Sequence, residues 1–117
     1  MLRKLFILSE DKVFTERVKM LSLMLTKLNY FIDLKITSTK ENILPGKNAF
    51  YIIIDMDSPE TISYIKKIRS TEETKSGKII ALYSKENNEI KNEAFHSGCD
   101  AVMIKEEFLN AFDSIMR

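Results

Sequence analysis

Asp55 closes the apolar run Phe50-Tyr51-Ile52-Ile53-Ile54 and is followed by Met56-Asp57-Ser58-Pro59. A carboxylate delivered to the carboxyl end of a buried strand, just ahead of a turn, is how an open α/β sheet presents a reactive group. The same position also suits a carboxylate that only caps the turn. Three other apolar runs end in groups capable of chemistry. Leu5-Phe6-Ile7-Leu8 gives way to Ser9-Glu10-Asp11, Ile79-Ile80-Ala81-Leu82-Tyr83 to Ser84, and Ala101-Val102-Met103-Ile104 to Lys105. Taken one at a time, Glu10 and Asp11 would complement the positive end of a following helix, Ser84 would cap another, and Lys105 would be a surface lysine.

The elements that must position these residues are readable from hydrophobic periodicity. Leu5 to Leu8, Phe50 to Ile54 and Ala101 to Ile104 are short continuous apolar runs, as expected of strands buried on both faces, and Lys78 to Ser84, apolar from Ile79 to Tyr83, is a further strand. Phe31 to Ile36 alternates, with Ile32, Leu34 and Ile36 on one face, and reads as an edge strand. Phe14, Val18, Leu21, Leu25 and Leu28 recur at steps of four and three, and Val13, Met20 and Met24 widen the stripe, the two methionines as core fillers. Ser38-Thr39-Lys40-Glu41 matches a capping box, but Pro45-Gly46 soon stops any helix begun there, so the second helix is expected to be short or broken. Ser58-Pro59-Glu60 predicts the start of a third helix carrying Ile62, Ile65 and Ile68. A fourth helix spans Glu89 to Ser97, with Ile90, Ala94 and Phe95 facing inward and Gly98 closing it. A terminal helix carries Phe108, Leu109, Phe112 and Ile115. Strict alternation of strand and helix with short connections implies a parallel sheet covered on both faces.

The 117 residues suit one domain, residues 1–117, with a single core. Eighteen basic against seventeen acidic residues leave no basic stripe for counterion-release binding to nucleic acid. The apolar run near Met1 is too short for a signal peptide or membrane span, so a cytoplasmic location is expected. Cys99 is the single cysteine and His96 the single histidine. Neither has a second soft ligand at metal spacing, and a buried thiol and a solvent-facing imidazole are expected. Ser9-Glu10-Asp11-Lys12 places acids where a flavin or nucleotide site on such a sheet would need a glycine-rich loop, which disfavours a nucleotide-binding enzyme.

With these marks in this order, the chain resembles a response-regulator receiver domain, the CheY-like module that accepts a phosphoryl group on an aspartate. The resemblance spans nearly the whole sequence. It rests on the acids after the first strand, Asp55 with Pro59 four residues on, Ser84, Lys105, and the segment Glu93 to Lys105 with Gly98 between helix and strand. It implies a flavodoxin-like (βα)5 doubly wound sheet of five parallel strands in the order 2-1-3-4-5, with the four marks converging at the carboxyl ends.

Phosphoryl transfer to a carboxylate calls for neutralisation of the incoming charge, an in-line nucleophile and donors around the phosphoryl oxygens. The resemblance implies Asp55 as phosphoacceptor, Ser84 and Lys105 as its phosphoryl-binding partners, and Mg2+ held by the Asp55 and Glu10 carboxylates and the backbone carbonyl of Asp57, with Asp11 as an alternative ligand. It implies a histidine kinase or phosphotransfer protein as donor. Output would run through contacts with a target protein on the surface of the fourth helix, fifth strand and fifth helix, since no effector domain follows Arg117. Such a module is a signalling domain rather than an enzyme, its own catalysis limited to self-phosphorylation and autodephosphorylation.

Three positions depart from the family pattern. Ser9 stands where the first acid is usual, Glu106 where a proline usually follows the lysine, and Val102 where a switching aromatic is common. These departures support an alternative, a pseudo-receiver that keeps the fold as an interaction module not regulated by phosphorylation.

Overall fold

The structure is a computed structural model and describes residues 2–38, 41, 43–46, 48–58 and 60–117. In chain order the elements are β1 (Leu2–Leu8), α1 (Lys12–Lys27), β2 (Phe31–Thr37), β3 (Tyr51–Asp55), α2 (Thr61–Ser70), β4 (Ile79–Tyr83), α3 (Asn88–Ser97), β5 (Ala101–Ile104) and α4 (Lys105–Met116). The five strands form one sheet in the order β2-β1-β3-β4-β5, every pairing parallel. This is the expected flavodoxin-like order.

Because successive strand residues point to opposite faces, the central strands split their apolar residues between two cores. Leu5, Ile7, Ile53, Ile80 and Leu82 pack with Phe14, Val18 and Leu25 of α1 and Phe108, Phe112 and Met116 of α4. Phe6, Leu8, Ile52, Ile54 and Ala81 face the other way, onto Tyr64, Ile65 and Ile68 of α2 and Ala94 of α3. Cys99 lies in this second core, and burial raises its thiol pKa to about 12. Among the described residues, no helix is long and apolar enough to cross a membrane.

Among the described residues, four α-helices, not five, flank the sheet. Between β2 and β3 the described residues form no α-helix, only a 3-10 turn at Glu41. Ser38 O accepts a bond from Glu41 N in a turn, and Ile43, Leu44 and Ala49 lie against the second core as irregular chain. Thr39 and Lys40 of the expected capping box lie outside the described residues. The edge strand explains the missing helix. Ile32, Leu34 and Ile36 pack on the first core, but Asp33 and Lys35 on the opposite face are exposed and offer a helix nothing apolar to cover.

Local starts and stops also moved. α1 is capped by Asp11, whose side chain accepts from Phe14 N. α2 begins at Thr61, after Glu60 in the left-handed region (φ 62°) with no side-chain cap, so Ser58 is not its N-cap. Pro59 lies outside the described residues. Asn87 caps α3, not Ser84, and Gly98 closes that helix at φ 118°. Val13, Met20 and Met24 of α1, read as widening its core stripe, are exposed, as are Leu28 at its C-cap, read as the last member of that stripe, and Phe95 of α3, read as facing inward.

Candidate functional site

Parallel pairing fixes which side chains meet at the carboxyl edge of the sheet. Leu8 pairs with Ile54 and Asp55 with Leu82, so Asp55 stands beside the chain leaving β1 and one residue short of the level of Tyr83. Ser9, immediately after β1, is held by its N–H to Thr37 O at 3.0 Å. Lys105 follows β5 directly and opens α4, which turns its long side chain back across the strand ends.

The result is a compact ion cluster. Lys105 Nζ lies 2.9 Å from Asp55 Oδ2, 2.9 Å from Asp57 Oδ2 and 3.1 Å from Asp11 Oδ2. Asp55 is 2% exposed and Lys105 8%. The Ser9 hydroxyl donates to Asp55 Oδ2 at 2.6 Å, and Asp57 N donates to Asp55 Oδ1 at 2.9 Å. The Ser84 hydroxyl donates to Asp57 Oδ2, and Ser84 N reaches Asp57 Oδ1 at 3.4 Å. Phe14 N donates to Asp11 Oδ1 at 3.1 Å. The lysine stem passes Phe14, with Nζ 5.8 Å from the ring centroid.

Electrostatics follow from these contacts. Burial works against the Lys105 ammonium, but its bonds to Asp57 and Asp55 outweigh burial and raise its pKa above the ordinary lysine range. Burial likewise opposes the Asp57 carboxylate, and the Ser84 hydroxyl and Lys105 reverse that, holding its pKa below the ordinary value. The Phe14 N–H does most to lower the pKa of Asp11, with Lys105 adding to it.

Of the expected site residues, the fold brings together Asp55, Asp57, Asp11 and Lys105. Ser84 joins through Asp57 rather than through Asp55. Glu10 stays apart. It is exposed, makes no hydrogen bond or ion pair among the described residues, and lines a groove beside α1 that Ser9 also borders, with Lys12, Glu16, Lys19 and Thr37. Ser9, read from the sequence as a missing acid, is an active partner of Asp55. Its signal was its place one residue past β1, next to the end of the neighbouring strand. A cleft of about 260 Å³ borders the cluster between α1 and α4, lined by Asp11, Phe14, Ser84 and Lys105 and spanned by an ion pair of Arg17 with Glu106 at 3.1 Å.

A hard dication needs several oxygens free to coordinate it, with affinity rising with ligand charge. Here the three converging carboxylates focus on the Lys105 ammonium, and every one of their six oxygens accepts from a protein donor. Among the described residues, no three acidic, histidine or cysteine side chains form a group suited to a metal ion. In this arrangement the residues do not fit Mg2+.

No protein-family model matches the chain, and no curated protein matches it. Solved structures do match. A response regulator of red-light signalling from R. palustris superposes with a TM-score of 0.73 at 14% identity, over 97% of this chain and 90% of that one. The Mn2+-bound form of response regulator Rcp1 gives 0.71 at 12% identity, over 97% and 91%. A chain of the S. cerevisiae complex between the histidine phosphotransfer protein Ypd1 and the receiver domain of Ssk1 gives 0.71 at 21% identity, over 97% and 86%. The chain therefore has the fold of response-regulator receiver domains.

Proposed function

We propose that this chain is a receiver-type module of two-component signalling, that Asp55 is its phosphoacceptor, and that a histidine kinase or phosphotransfer protein is its donor. The observation that carries the proposal is the convergence of Asp55, Asp57, Ser84 and Lys105 at the carboxyl edge of a sheet with receiver topology. In the transfer, the P–N bond of a phosphohistidine breaks as an Asp55 carboxylate oxygen bonds to phosphorus, and the departing imidazole nitrogen takes up a proton. Both Asp55 oxygens are already engaged, so acceptance is coupled to a rearrangement in which Lys105 and Ser84 leave the carboxylates for the phosphoryl oxygens. The family resemblance implies Mg2+ and the Rcp1 neighbour is Mn2+-bound, but no step here is routed through a metal.

Output through α3, β5 and α4 is part of the same proposal. It has support in Phe95, exposed on α3, and in the position of β5 at a sheet edge. In this reading the chain is a signalling domain, and its location is cytoplasmic.

A second reading, the pseudo-receiver, is favoured by the same saturated cluster together with Ser9 and Val102. The two separate in one experiment. The protein is incubated with phosphoramidate, a small P–N donor, with Mg2+ present, and intact mass is measured. Gain of one phosphoryl group by the native protein and none by Asp55→Asn is expected. No gain, or an equal gain by Asp55→Asn, overturns the phosphoacceptor reading and leaves the interaction module.

A further inference from the structure

We infer that the resident cation of the strand-end cluster is the Lys105 ammonium, and that this cluster takes up no divalent metal ion. Asp11, Asp55 and Asp57 each direct Oδ2 at Nζ, within 2.9–3.1 Å, so the ammonium occupies the point on which the three carboxylates converge. A metal ion bridging those oxygens has to displace it.

The charge that remains is met without a metal. The Ser9 and Ser84 hydroxyls and the backbone N–H groups of Phe14, Asp57 and Ser84 supply the other donors, and Asp11 also lies at the positive end of α1. A dication would have to replace these donors one by one. Each exchange leaves a protein donor unpaired, and near Asp55 that donor is buried. The acid that would add ligand charge, Glu10, is exposed and is not among the carboxylates that meet Lys105, and Ser9 presents a hydroxyl where a further carboxylate would otherwise stand. The lysine is enclosed as well as charged. Its side chain is only 10% exposed, and it opens α4 directly from β5.

The inference stands whether or not Asp55 accepts a phosphoryl group, and its test needs no phosphoryl donor. Amide spectra of the native protein are recorded during titration with Mn2+ into the millimolar range, alongside Lys105→Met, which keeps side-chain length and removes the charge. Native protein is expected to show no saturable paramagnetic broadening at residues 9–11, 55–57 and 105. Lys105→Met is expected to show it there, saturating within the same titration. Saturable broadening of the native cluster overturns the inference, as does a folded Lys105→Met that broadens no more than native. If the variant does not fold, the thermal midpoint of the native protein with and without Mn2+ decides. A metal that binds the folded state raises that midpoint, which overturns the inference, and an unchanged midpoint upholds it.

Discussion

The Ser9 hydroxyl donates a 2.6 Å hydrogen bond to Asp55 Oδ2, joining the ends of the adjacent strands β1 and β3 beneath the ion cluster. Both residues are buried, at 5% and 2% exposure, so this bond lies out of reach of solvent. A hydroxyl here shares Asp55 Oδ2 with Lys105 and adds no charge of its own.

Replacing that hydroxyl has a defined consequence. Ser9→Ala removes a buried donor to a charged acceptor and is expected to lower stability by about 1–3 kcal/mol. Urea unfolding followed by circular dichroism measures it, and a midpoint equal to that of the native protein would show that the bond contributes nothing net.

Removing the ammonium should cost more. Lys105→Met leaves three carboxylates facing one another without their cation, and breaking the buried Lys105–Asp55 pair in this way is expected to destabilise by about 3–5 kcal/mol at neutral pH, the half-exposed Asp11 and Asp57 adding little. The loss should shrink in acid, where the carboxylates protonate. Denaturant unfolding of native and variant protein at pH 7 and pH 4 checks both parts.

The pH dependence of the native protein follows from Asp11 and Asp57. The Phe14 N–H lowers the pKa of Asp11, and Ser84 with Lys105 does so for Asp57 against the effect of burial, both from an ordinary value of 3.8. Below that value the unfolded chain binds more protons than the folded one, so stability from these groups is complete above it and is lost as pH falls through the folded pKa values. The raised pKa of Lys105 adds stability that is complete below the ordinary lysine range and is lost above it. Thermal melts from pH 2 to 7 should show the midpoint rising with pH at the acid end, with a smaller rise in Lys105→Met.

Away from the cluster, Arg69 organises the opposite edge of the sheet. Its guanidinium donates to Gly98 O at 2.7 Å, Lys75 O at 2.8 Å, Gly77 O at 2.6 Å and Asp100 Oδ2 at 2.8 Å, tying α2, the following loop and the end of α3 together. Arg69→Lys keeps the charge but loses the planar fork, and a loss of about 1.5–3 kcal/mol is expected. Gly98→Ala should cost more than about 1 kcal/mol for a different reason. Its φ of 118° disfavours a side chain, and an added Cβ would meet Arg69 Cγ at 2.7 Å. Denaturant midpoints of both variants are the check.

Much of this architecture was legible because it is written in local runs. Phe50 to Ile54 and Ile79 to Tyr83 could hardly be anything but buried strands, and Asp55 and Lys105 stood out as the groups ending theirs. What sequence reading missed depended on competition between neighbours. Ser58 and Ser84 are good capping residues, but the helices start at Thr61 and Asn88, and Asn87 supplies the second cap. Ser38 and Glu41 looked like a helix start, but a cap contributes only about 1 kcal/mol and cannot sustain a helix over the charged face of Asp33 and Lys35. Val13, Met20, Met24 and Leu28 continued the periodicity of α1, but the sheet and α4 cover a narrower stripe than the apolar residues span. The resemblance implied that the acids after the first strand, Asp55, Ser84 and Lys105 meet at one edge, but not the focus of three carboxylates on one ammonium. That focus requires the register of four strands and the turn from β5 into α4.

The Lys105–Asp11 pair joins residues 94 positions apart, linking the start of the first helix to the start of the last. Bringing such distant positions together costs loop entropy, recovered only when the intervening chain is already ordered. The ammonium is therefore expected to find its three partners late, after the sheet has assembled, with its stabilisation on the native side of the folding barrier. Lys105 acts as a brake on unfolding. Weakening it should speed the opening of the chain far more than it slows collapse, so the last contact made is the first that sets the lifetime of the native state.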